Sequence, residues 1–250
     1  MSLLLAKLLI APSFVAGVSL VGRRFGPKVA GFVAALPVVG GPILGLLVAE
    51  QGPVFGARAA LAGSIGAAPT MVFALVYAHL ASRLAWGATL GLAYTAYFAA
   101  TALLSLAPTN AFTAIAIPLA TWALSLRAFP RASASGLVAK PSAFDLPVRI
   151  VATMTLVVAI TTLARILGPE RSGLLTPFPI ATAVLAVFAH REAGGGAAAV
   201  LLRALVRGLF SFCTFFVVIG FALPSVGAVP AFALGGLAAL CVHVVMTLRS

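Results

Sequence analysis

The chain has 250 residues, of which 62% are hydrophobic and 8% charged, and its formal net charge is +12. Soluble domains run near ~25% charged, so a water-soluble fold is excluded: it could not hide this much apolar surface. The basic excess does not point to nucleic acid either, because the bases stand singly or in small groups between apolar runs, as in loops facing a cytoplasm lined with anionic lipid.

Nine apolar stretches of spanning length follow one another: 3–22, 29–49, 54–82, 84–107, 111–128, 147–167, 172–190, 196–223 and 228–248. Alternating strand patterns are absent, which leaves an all-α polytopic bundle rather than a barrel. The opening stretch "MSLLLAKLLIAPSFVAGVSLVGRR" has its paired bases after the apolar run, the reverse of a signal peptide, and is read as a retained first span. The second span, within "GPKVAGFVAALPVVGGPILGLLVAEQG", is interrupted by Pro37 and by Gly40 and Gly41. The seventh, within "GPERSGLLTPFPIATAVLAVFAHREAG", is interrupted by Pro177 and Pro179. The polar stretch "RAFPRASASGLVAKPSAFDLP" between spans five and six reads as a linker.

Sliding the chain along itself by 142 positions superposes Lys7 on Arg149, Arg23 on Arg165, Gly26 on Gly168 and Gly31 on Gly173. Farther on, Pro37 meets Pro179, Glu50 meets Glu192, Gly52 meets Gly194 and Gly66 meets Gly208. An internal repeat is expected: a first four-helix unit over 1–110, a connector helix and cytoplasmic linker over 111–146, and a second four-helix unit over 147–250. Five spans precede the second copy, so it enters the membrane from the opposite side and the repeat is inverted. With the N-terminus outside and the C-terminus cytoplasmic, only Lys7, Arg58, Arg165 and Arg171 of the 16 bases face outward, in line with the positive-inside rule.

In lipid, a proline break frees backbone groups that must find partners in protein or in a wet cavity. Paired broken helices near the bilayer centre point to a transporter's substrate site, and the half-helix that follows a break presents amides and a positive dipole end. The candidate substrate-binding set is Pro37, Gly40, Gly41, Thr176, Pro177, Pro179, Thr182 and Arg207. Threonine hydroxyls coordinate ions or substrate, although they more often bond back to their own helix. Arg207 shares a helix face with Arg203, four residues away, and is the deeper of the two; an anion or lipid headgroup would suit it. Glu50 and Glu192 end the two broken spans and are candidates for gating or proton coupling; helix-end solvation is the alternative. Lys7 and Arg149 lie a turn inside spans one and six, where long bases either snorkel to the interface or face a shared cavity.

His79, His190 and His243 have no ligand spacing, and Cys213 and Cys241 sit apart in apolar runs, so neither a metal site nor a disulfide framework is expected. HExxH, GxSxG and Walker patterns are missing and the chain has 4 acids in all, so no catalytic set is visible, and neither enzymatic activity nor a cofactor is expected.

The segment "SGLLTPFPIATAVLAVFAH" resembles the GlpM-like small membrane proteins, with Gly173, Phe178 and Pro179 carrying the likeness and Gly31 and Pro37 matching it in part. The resemblance implies two integral-membrane units of about four helices fused through a fifth; it implies no substrate and no catalytic residue. The expected protein is a small secondary transporter or permease of the inner membrane. It would act by alternating access at a midplane site between the halves, on a small substrate of anionic or lipid-phosphate character. Its expected partners are membrane lipids, that small molecule or ion and, where it self-associates, a second copy as a homodimer. A non-transporting subunit of an envelope-biogenesis complex is the alternative, and a channel a third reading.

Overall fold

The computed structural model describes residues 35–37, 39–131 and 145–248, together with Ser13, Gly17, Arg24, Phe25 and Val29. Lys7, most of the first span and the centre of the linker lie outside the described residues. Seven helices are described: α1 Gly40–Gln51, α2 Pro53–Leu80, α3 Trp86–Leu104, α4 Ala111–Ala128, α5 Asp145–Leu175, α6 Ile180–Val226 and α7 Ala228–Leu248. The described residues hold no strand. Five stretches are long and apolar enough to cross a membrane, within α2, α3, α4, α6 and α7.

Seven helices are described where the sequence leads to nine spans: the first span lies outside the described residues, and the rest of the difference lies in how the chain turns. Spans six and seven were expected to be separated by a loop, as were spans seven and eight. Instead single glycines join them: Gly168 inside α5 at φ 74°, ψ 173°, and Gly194 inside α6 at φ 82°, ψ 170°. This backbone region is essentially open to glycine alone. One residue redirects the chain, and helical bonding resumes on both sides. Gly52, between α1 and α2, adopts nearly the same conformation as Gly194, at φ 89°, ψ 170°.

Burial decides the arrangement. Of the apolar window in α2, 78% is buried, against 17% in α3 and in α4. α2 is therefore the central helix, in contact with α1, α3, α4, α5 and α6, while α3 and α4 present most of their side chains outward. The faces of α2 that make this possible are paved with small residues. A Cβ on Gly66 would run into the Leu174 carbonyl, and one on Gly173 would run into the Ala59 carbonyl. Side-chain-free positions let α2 and the last turn of α5 cross backbone to backbone, as membrane helices do when shape rather than hydrophobicity drives association.

The same approaches give direction. Gly195 meets the backbone of Ala81, Gly220 meets Leu61, and Gly56 meets Leu223. The segment 195–226 of α6 therefore runs antiparallel to α2. One end of the bundle gathers residues 81–86 and 190–195; the other gathers 48–56, 105–109, 168–171 and 223.

Gly173→Ala is expected to destabilise the folded chain by about 1–3 kcal/mol, as overpacking of a tight contact does. Gly87→Ala, where an added Cβ meets nothing within 4 Å, should be neutral. Thermal unfolding of both variants in detergent, read by size-exclusion fluorescence, separates the two.

Candidate functional site: two interrupted helices

Turns stand at both expected interruptions. Residues 35–37 form a turn before α1 begins at Gly40, and residues 176–179 form one before α6 begins at Ile180. The first bonds of the two resumed helices correspond. The Gly41 N–H donates to the Pro37 carbonyl at 2.7 Å, and the Ala183 N–H donates to the Pro179 carbonyl at 2.9 Å. Gly41 and Ala183 are 142 positions apart, as are Pro37 and Pro179. Neither resumed helix has a side-chain cap at its start. By contrast, α4 opens on a capping box between Asn110 and Thr113.

The two resumed helices leave the middle of the bundle in opposite directions. Gly40 lies against Phe212 and Phe216, halfway along 195–226, whereas Val48 reaches Gly56 near Leu223. At the other break Phe178 stacks on Tyr94 at 5.6 Å and meets Tyr97 edge-on at 5.1 Å, in the middle of α3. His190, farther along α6, reaches Tyr77 near the other end of α2, with Tyr77 Oη 3.3 Å from His190 Nδ1. The next residue, Arg191, lies over the Trp86 ring at 5.5 Å.

The surroundings of the breaks differ. The second break is sealed onto α2. Thr70 Oγ1 donates to the Pro177 carbonyl at 2.7 Å, and Thr176 Oγ1 donates to the Ser172 carbonyl at 2.9 Å. Thr176, Pro177, Pro179 and Thr182 are all buried. The first break opens instead on a cavity of about 600 Å³ lined by Leu36, Pro37, Gly41, Gly45, Phe215 and Phe232, among other apolar residues. No described side chain of 176–182 lines it. A midplane site shared by both breaks was expected; the described residues fill that space with the Phe212, Phe215 and Phe216 rings, and Phe216 touches both Gly40 and Gly63.

The other candidates are dispersed. Glu50 ends α1 at one end of the bundle, while Glu192 lies near Gly194 at the other; each is engaged in an interaction. Arg207 is half-buried in α6, and its carbonyl accepts the Trp122 indole N–H at 3.4 Å. It does not line the cavity at Pro37. Arg149 falls within α5, its side chain outside the described residues. No group of His, Cys, Asp and Glu among the described residues could hold a metal ion.

Sequence reasoning passed over the Tyr77–His190 and Trp86–Arg191 contacts, because their partners are 113 and 105 positions apart and share no local pattern. Comparison with family models, with curated proteins and with solved structures finds no match to this chain.

Thr70→Val removes the donor to the Pro177 carbonyl and leaves a buried acceptor unpaired, a loss of about 1 kcal/mol or more. Hydrogen exchange of the 176–183 amides should accelerate, while the amides of α4 stay unchanged.

Proposed function

We propose that the protein is a secondary transporter built from two inverted repeats, and that its substrate enters at the first break, beside Pro37 and Gly41. The observation that carries this reading is the pair of uncapped half-helices, interrupted at equivalent positions and leaving the bundle centre in opposite directions. Three further points support the repeat. Gly52 and Gly194 share one unusual backbone conformation, the opening bonds at Gly41 and Ala183 are equivalent, and α2 runs antiparallel to its counterpart 195–226. The GlpM-like likeness around Phe178 and Pro179 fits the same picture of fused units.

Nine crossings follow when the glycine breaks at 168 and 194 are taken as turns at the membrane surface. The end gathering Arg83, Arg127 and Arg191 is then cytoplasmic, and the end with Arg58 and Arg171 lies outside. The lining at Pro37 is apolar, so the substrate placed there has an apolar body. Alternating access would come from one half rocking against the other. The asymmetry of the breaks supports a single captured state: the 176–179 turn is closed down on Thr70 while the 35–37 turn stands open. At the cytoplasmic end Tyr77, His190, Trp86 and Arg191 form a polar and aromatic latch. Its counterparts 142 positions away at the outer end are Ile219, Val48, Ala228 and Ala49.

The dry packing of the second break favours the alternative, a non-transporting membrane subunit, and uptake measurements decide between them. Proteoliposomes carrying the full chain are expected to accumulate at least one member of a labelled panel of small amphipathic metabolites. Gly41→Leu should reduce that uptake tenfold or more by filling the cavity, with folding intact; ~1.4 kcal/mol of lost binding is enough. Uptake indistinguishable from empty vesicles across the panel would favour the subunit reading. Topology has its own check: single cysteines replacing Arg83 and Arg191 should react with an impermeant maleimide from the inside only, and those replacing Arg58 and Arg171 from the outside only. Labelling of Arg83 and Arg58 positions from one side would remove the inverted arrangement.

A further inference from the structure

We propose that Arg203 and Arg207 on α6 form a binding site for a phosphate-bearing headgroup at the cytoplasmic side of the membrane, beside Trp122 of α4. This site lies apart from the cavity at Pro37 and goes beyond the transport reading, from which it takes only the assignment of the cytoplasmic end.

The first observation is an unpartnered buried donor. Arg203 Nε is buried and makes no hydrogen bond. A guanidinium is always protonated and offers five donors in a rigid fork. Leaving part of it buried without an acceptor is costly, the more so in a membrane. The second observation is its neighbour. Arg207 follows one helical turn later on the same face and is half-buried. Two such forks a turn apart match the tetrahedral oxygens of a phosphate, which arginine binds in bidentate fashion.

Carboxylates are scarce in the chain. Its 4 acids are Glu50, Asp145, Glu170 and Glu192. The nearest in sequence to Arg203, Glu192, precedes the break at Gly194. A bound phosphate would supply counter-charge to the pair.

Position selects the ligand. The segment 195–226 is about 48 Å long at 1.5 Å per residue, more than the ~30 Å hydrocarbon core. Arg203 lies about 13 Å from Gly194 along the helix, near the inner boundary of that core, and Arg207 one turn deeper. Long basic side chains at this depth reach toward the headgroup level. Trp122 flanks them, its indole N–H on the Arg207 carbonyl and its ring 5.1 Å from Phe210. An indole with one polar edge and one apolar face suits the same interface. A phosphodiester lipid headgroup and a free phosphate share the chemistry that this arginine pair reads.

The test uses the full chain in detergent, so that it does not depend on transport; a chain inert in uptake assays still binds. Native mass spectrometry measures retention of phosphatidylglycerol against phosphatidylcholine, and thermal unfolding measures the response to inorganic phosphate against chloride at matched ionic strength. Wild type is expected to hold phosphatidylglycerol about tenfold more tightly than the Arg203→Gln, Arg207→Gln pair, as the loss of one charge-assisted bond of ~1.4 kcal/mol would produce. Millimolar phosphate that both raises Tm and displaces the lipid identifies the free anion as a ligand too; lipid retention that resists it assigns the site to the headgroup. Equal lipid retention in wild type and the Gln pair, together with a phosphate response that ignores the arginines, overturns the proposal. Should the Gln pair fail to fold, the Arg203→Lys, Arg207→Lys pair keeps the charge and loses the fork. A change in retention of less than about twofold in that pair overturns it equally, since fork geometry is what sets arginine apart from lysine.

Discussion

In hydrocarbon a backbone amide or carbonyl has no water to fall back on, and every one must be paired within the protein. That constraint organises this molecule. It confines the chain to helices, and it makes each departure from helical geometry something the neighbours must compensate. The break at 176–179 exists because α2 offers it a hydroxyl at Thr70 and a bare face at Gly66. Without those two residues the Pro177 carbonyl would be stranded and the turn would sit too far away to be reached.

The same constraint explains why, among the described residues, the chain is redirected at four single glycines, all at positive φ. A turn of one residue exposes few backbone groups, and the following helix starts at once, twice with proline, at Pro53 and Pro169, where the missing N–H would have had no partner. Compact reversals also keep α2 and 195–226 in close antiparallel register, so that Ala81 can touch Gly195 at one end while Leu223 reaches Gly56 at the other.

Much of this was written locally in the sequence and some of it was not. Pro37 and Pro179 point to the interruptions, since proline removes a donor from the helical ladder, although Pro69 and Pro118 stand inside continuous helices. The 142-residue offset is visible from Gly52 and Gly194 before their shared conformation is known. The turns were less legible, because "GPERSG" and "EAGGG" read as loops by composition, whereas Gly168 in the first and Gly194 in the second redirect the chain. The contents of the bundle centre were not legible at all. Phe212, Phe215 and Phe216 look like ordinary apolar residues, and only the packing of α6 against Gly40 and Gly63 shows that they occupy the space between the breaks. Likewise Arg203 stands in the sequence as a plain interfacial base; its unpaired Nε is a property of its neighbours.

Two of the outward-facing helices are shorter than the central α2. α3 has 19 residues and α4 has 18, about 28 Å and 27 Å in length, and both turn most of their surface outward, while the longer α2 stays inside. Along α3 and α4, surrounding lipids therefore meet a rim slightly thinner than the ~30 Å of an average hydrocarbon core. Such a stretch of rim would draw the leaflets together locally, at modest energetic cost.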